Sequence, residues 1–97
     1  MRRDARTDAN QNAIVAAFKA AGASVWVIGL PVDLLVGVGG RTALVEVKTM
    51  VGTKSPKPAP YTNLQKSFMR HWLGGPVGTI TDVEGAINLV RAMRGEA

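Results

Sequence analysis

The run VDLLVGVGGRTALVEVK, residues 32–48, constrains the fold more tightly than any other part of this sequence. Gly39 and Gly40 sit between two apolar, alternating segments, the pattern of a two-residue hairpin turn. Pairing Val38 with Arg41 across that turn fixes every later pair and sets Asp33 opposite Glu46. Like charges directly opposed weaken a hairpin. In the same register Leu34, Val36, Val45 and Val47 share one face, while Leu35 and Leu44 share the other with Asp33, Glu46 and Lys48. An E-x-K pair alone is ordinarily a solvated strand face. Asp33 in register with Glu46, at the end of an apolar face, is different: clustered carboxylates there raise each other's pKa unless a cation lies between them. Two carboxylates and a backbone carbonyl, completed by waters, suit a hard, oxygen-ligated ion such as Mg²⁺ or Mn²⁺.

The flanking segments supply the remaining elements. From Asn10 to Ala21, Ile14, Val15, Phe18 and Ala21 recur at helical spacing; Asp8 or Asn10 can cap the start and Gly22 supplies a stop. SVWVIG, residues 24–29, is β-branched and aromatic and reads as a first strand. Residues 49–61 carry Pro56, Pro58 and Pro60 with Lys54 and Lys57, which predicts an extended loop without regular structure. Thr62 and Gln65 match a T-x-x-Q capping box and open a helix expected to carry Leu64, Phe68 and Trp72 inward, with Gly74, Gly75 and Pro76 ending it. VGTI, residues 77–80, is a short strand, and Thr81 or Asp82 caps a last helix with Val83, Ala86, Ile87 and Val90 on one side. The predicted order is αβββαβα, an α/β fold with a central mixed sheet flanked by helices. With 97 residues and 46% apolar content, residues 1–97 make a single domain, of which 1–7 are expected to be flexible.

Composition narrows the chemistry. There is no cysteine and one histidine, His71, so thiolate and histidine-built metal sites are excluded and any metal must use oxygen ligands. No apolar run approaches a membrane span, and the basic start MRRDAR leads into no secretory h-region; a cytoplasmic protein with no membrane partner is expected. The net charge of +5 favours an anionic partner. Its distribution is more telling, because residues 49–72 hold Lys54, Lys57, Lys66 and Arg70 and no carboxylate, directly after the hairpin. Beside a divalent ion Lys48 can hold a phosphate oxygen or orient an attacking water, a combination suited to cleaving phosphodiesters.

Asp33, then Glu46-Val47-Lys48 at the end of the next strand, within an αβββαβ order, resembles the PD-(D/E)XK nuclease superfamily. The similarity extends to the small phage nucleases related to VRR-NUC domains and to archaeal Holliday-junction resolvases: a helix ending at Gly22, a DLLVG strand, a Gly turn, a V-E-V-K strand and Gln65 early in the next helix. It covers roughly residues 8–90. Pro31 and Asp33 are separated by Val32 where the family has adjacent Pro and Asp, and Gln11 stands where resolvase-like members often place a Glu.

The resemblance implies a restriction-endonuclease-like core and a Mg²⁺- or Mn²⁺-dependent DNA endonuclease of phage type, acting on junctions or other branched DNA. Asp33, Glu46 and the Val47 carbonyl would hold the metal, with Asp33, Glu46, Lys48 and Gln65 as the catalytic set and Gln11 as an accessory that bonds a metal-bound water. Arg41, Lys54, Lys57, Tyr61, Lys66 and Arg70 are the expected nucleic-acid contacts, and junction-resolving relatives suggest a homodimer. Each assignment has a plainer counterpart. Gln65 completes a capping box, Gln11 is an exposed first-turn helix residue, Lys66 and Arg70 are a solvated i,i+4 pair, and Trp26 and Trp72 belong to a core or interface. The rival function is a catalytically inactive DNA-binding module of nuclease fold, serving phage replication or packaging; a third is an oligomeric scaffold with incidental charge.

Overall fold

Gly39 and Gly40 take φ of +60° and +78° in the computed structural model, which describes residues 5–96. The hairpin closes in the expected register: β2 (Leu34–Val38) pairs antiparallel with β3 (Arg41–Val47), from Val38 opposite Arg41 to Leu34 opposite Val45. Both turn residues need the left-handed region, which glycine enters without steric penalty. On the outer side β2 pairs antiparallel with β1 (Ser24–Val27), and on the inner side β3 pairs parallel with β6 (Val77–Ile80). The result is a mixed four-stranded sheet in the order β1-β2-β3-β6.

Helices cover the sheet unequally. Helix α1 (Ala5–Ala20) presents Ile14 and Phe18, both fully buried, to the face carrying Leu34, Val36, Val45 and Val47; α3 (Val83–Met93) adds Ala86, Val90 and Met93 to the same core. Helix α1 ends where Gly22 takes φ of +95°: its N–H donates to the Lys19 carbonyl and that of Ala23 to Phe18, the paired bonds of a Schellman stop. Arg94 at the end of α3 donates to the free Ala21 carbonyl at 2.7 Å, tying the two helix ends together. On the opposite face lies α2 (Asn63–His71), opened by the expected capping box: Gln65 N–H donates to the Thr62 hydroxyl at 3.2 Å and Thr62 N–H to Gln65 Oε1 at 3.1 Å.

Several expectations need correction. Helix α1 begins by Ala5, so Asn10 is a helical residue rather than a cap; of the start expected to be flexible, residues 1–4 lie outside the described residues and 5–7 are helical. The proline-rich segment is not devoid of regular structure. Two-residue strands β4 (Met50–Val51) and β5 (Lys57–Pro58) pair antiparallel, and Ala59 N–H donates to the Thr49 carbonyl at 2.9 Å, making an exposed ribbon. A ribbon this short leaves each proline free of any ladder donor role, which is why it tolerates them. Helix α2 does not bury Leu64 and Trp72. Both are exposed, Phe68 is half-buried, and the buried residue is Gln65, because the face turned to the sheet is the one that meets the charged end of β3. In α3, Asp82 is the cap, and Val83 and Ile87 flank the buried face instead of forming it. Among the described residues no helix is long and apolar enough to cross a membrane.

Candidate metal and phosphate site

Asp33 lies one residue beyond the β2 ladder, and its carboxylate takes over where the backbone pairing stops: Oδ2 accepts from Val47 N–H at 2.8 Å. Its own carbonyl accepts from Ile28 and Gly29 N–H at 2.8 and 3.2 Å, and Val32 before it is fully buried. Asp33 is therefore fixed by its neighbours on both sides. The opposition expected between Asp33 and Glu46 is real but offset, since a backbone donor sits against the Asp33 carboxylate.

Glu46 is 3% exposed, near the end of β3 on the face opposite the apolar core. Burial first, and the Asp33 charge second, push its pKa above the usual carboxylate value; the Lys48 ammonium and the Gln65 amide pull the other way. One oxygen, Oε2, pairs with Lys48 Nζ at 3.1 Å. The other, Oε1, is buried with no hydrogen-bond partner. A buried carboxylate oxygen left without a donor is costly, and a cation is the species that would satisfy it.

Lys48, 9% exposed, spends its three donors inside the protein: on Glu46, on Gln65 Oε1 at 3.0 Å and on the Pro60 carbonyl at 3.1 Å. Its ammonium also stands 5.5 Å from the centre of the Tyr61 ring, and the Tyr61 hydroxyl hydrogen-bonds the Thr79 hydroxyl on β6. Gln65 fills the capping-box role and also contacts Lys48. The same Oε1 that accepts from Thr62 to complete the capping box accepts from Lys48, so the helix start and the lysine are set by one atom.

The N-terminal helix reaches the same corner. Asn10 Nδ2 donates to the carbonyls of Lys48 and Thr81, both at 3.4 Å, and Lys48 N–H donates to the Ile80 carbonyl at 3.0 Å. Gln11, next to Asn10, is 7% exposed and hydrogen-bonded or otherwise engaged, not the solvent-facing residue of the plainer alternative.

The structure thus gathers Asp33, Glu46, Val47, Lys48, Gln65 and Tyr61 at one end of the sheet. The other proposed contacts are dispersed. Arg41 is at the far end of β3, at the turn; Lys54 and Lys57 ride on the β4-β5 ribbon; Lys66 and Arg70 are exposed on α2. Tyr61, expected to face nucleic acid, is half-buried with its ring beside Lys48. Sequence reasoning missed Pro60, Thr79 and Asn10. Thr79 was accessible in principle, because it stands opposite Glu46 in the parallel ladder, but that pairing requires knowing that β6 joins β3. Among the described residues no three His, Cys, Asp or Glu side chains come together, so the charged donors available to a cation here are the Asp33 and Glu46 carboxylates. That all-oxygen set fits Mg²⁺ or Mn²⁺, which retain waters where protein ligands are few. Comparisons of the chain with protein-family models, with curated proteins and with solved structures found no match.

Proposed function

We propose that this chain is a Mg²⁺- or Mn²⁺-dependent DNA endonuclease with a restriction-endonuclease-like core of the PD-(D/E)XK type, cutting branched or otherwise structured DNA. The observation that carries this reading is Glu46: a buried carboxylate with raised proton affinity and an unpartnered oxygen, between Asp33 and Lys48. A group so placed destabilises the metal-free fold, and a cation-binding role accounts for it. Asp33, Glu46 and the Val47 carbonyl would hold the ion, which when bound polarises the scissile phosphate and lowers the pKa of an attacking water.

The chain's own residues do the rest. Asp33 is held by Val47 N–H, which fixes the direction of its carboxylate. Lys48 is aimed by Gln65, Pro60 and Tyr61, and to hold a phosphate oxygen or orient the nucleophile it must release one of its three acceptors. Lys54, Lys57, Lys66 and Arg70 neutralise backbone phosphates, giving affinity that is salt-sensitive and largely independent of sequence.

The inactive DNA-binding module has one feature in its favour, the neutral Gln11, buried here, at the position where resolvase-like proteins often place a Glu. A single experiment separates the two. Purified protein incubated with labelled junction, flap, nicked and single-stranded DNA should cleave at least one substrate with Mg²⁺ or Mn²⁺ and none with chelator. Glu46→Gln and Lys48→Ala should each abolish cleavage while leaving DNA affinity within a few-fold. Binding without cleavage of any substrate would establish the module, and cleavage retained in both variants would remove the site.

A further inference from the structure

Leu64, Ser67, Phe68 and His71 recur along α2 at spacings of three and four, so they form one stripe of the helix. With Trp72 and Pro31 that stripe borders an open groove of about 360 Å³. Both walls of the groove lead into the candidate metal site. Pro31 precedes Asp33 by two residues, at most roughly 7 Å of chain, and Leu64 adjoins Gln65.

The groove contains a fixed aromatic surface. Trp72, expected in a core or interface, is 44% exposed. Its Nε1 donates to the Gly75 carbonyl at 2.9 Å, its ring lies 5.2 Å from that of Phe68, centre to centre, and Gly74 is so close that a Cβ there would run into the indole. An indole held in this way loses little freedom when a flat ligand stacks on it. Polar and charged groups stand beside it. His71 Nδ1 donates to the Ser67 carbonyl at 2.8 Å, which leaves Nε2 for the edge of a ligand. Arg70, three residues after Ser67, is its neighbour on the helix surface, and residues 49–72 contain no carboxylate, so the rim of the groove is cationic.

We infer that this groove takes one unstacked nucleobase from a single-stranded stretch of DNA, next to the phosphate handled at Asp33 and Glu46. The half-open indole suits a flat ring and the cation at the rim suits the phosphate attached to it, a pairing that fits a nucleotide better than an apolar peptide or a second copy. A base inside a duplex is already stacked and paired, so the groove would direct the chain to junctions, flaps and other DNA with unpaired bases. The inference rests on the nuclease reading for its substrate class, and binding measured in chelator tests it apart from cleavage.

Fluorescence anisotropy in chelator, with a labelled oligothymidylate and an abasic oligomer of the same length, compares the same phosphates with and without bases. The parent should bind the abasic oligomer at least about fivefold more weakly, and up to about a hundredfold, the range for a lost base stack. Trp72→Ala should lose a similar factor on oligothymidylate and almost nothing further on the abasic oligomer. Gly74→Ala keeps the indole but displaces it, and should show the same pattern with unchanged far-UV circular dichroism. Equal affinity of the parent for the two oligomers, or equal losses on both from Trp72→Ala, overturns the inference, while metal-dependent cleavage of any substrate would leave the nuclease reading standing. Binding to no DNA at all overturns both. Unaltered DNA affinity in Trp72→Ala with a lower mass in solution also overturns the inference, and assigns the groove to a second copy.

Discussion

Asp33 meets Val47 through its side chain and not through the strand ladder, and this decides what a substitution there measures. Asparagine keeps an oxygen for Val47 N–H and removes the charge that raises Glu46, so Asp33→Asn should leave metal-free stability unchanged or raise it by ~0.5–1 kcal/mol. Alanine removes the acceptor as well and leaves a backbone donor unpaired, a loss of about 1–3 kcal/mol. Urea denaturation of both variants in chelator separates the charge from the hydrogen bond. Equal losses would mean that the carboxylate charge itself is structural. With millimolar Mn²⁺ the parent should gain stability according to site occupancy and both variants much less, since only the parent keeps two carboxylates.

At the scale of elements, what was legible in the sequence depended on how many local rules agreed. The β2-β3 register was readable because a Gly-Gly turn and strict alternation permit one answer, and a one-residue slip would turn Leu34, Val36, Val45 and Val47 to the wrong face. The Thr62 helix start was readable for a similar reason, a reciprocal pair at fixed spacing. Helix faces were less so. In α2, a helix from Asn63 to His71, Leu64 and Phe68 suggested an inward stripe, yet the bonds of Gln65 to Lys48 and Thr62 fix a different rotation, and no periodicity encodes that polar demand. The β4-β5 ribbon was hidden because three prolines mask a pairing of two residues per strand. Its exposed lysines still carry a prediction. Replacing Lys54 and Lys57 together by alanine should weaken DNA binding and flatten the log-log salt dependence by up to about 1.8, at roughly 0.9 per lost phosphate contact. Fluorescence anisotropy titrations across a salt series measure that slope, and an unchanged value would take the ribbon off the DNA surface.

For the whole molecule, the well-packed core between the sheet, α1 and α3 must carry a strained carboxylate on its other side, and global stability should register that strain as a function of pH. Folding raises the Glu46 pKa above its ordinary 4.5, so between the unfolded and folded values the native state binds more protons than the unfolded one. The contribution is therefore fully present below the unfolded pKa and is lost as pH rises through the folded pKa. Glu46→Gln cannot ionise, so the stability difference between parent and variant should move against the parent from acid toward neutral pH. The other six of the seven carboxylates are common to both chains and largely cancel in that difference. Bound Mn²⁺ favours the ionised carboxylate in the folded state, so its addition should turn the parent's slope toward rising stability with pH and leave the variant's nearly unchanged. Denaturant midpoints across this range, with chelator and with metal, provide the measurement. Parallel curves for parent and variant in chelator would mean that Glu46 is not strained by the fold, and the central support for a cation at this site would be gone.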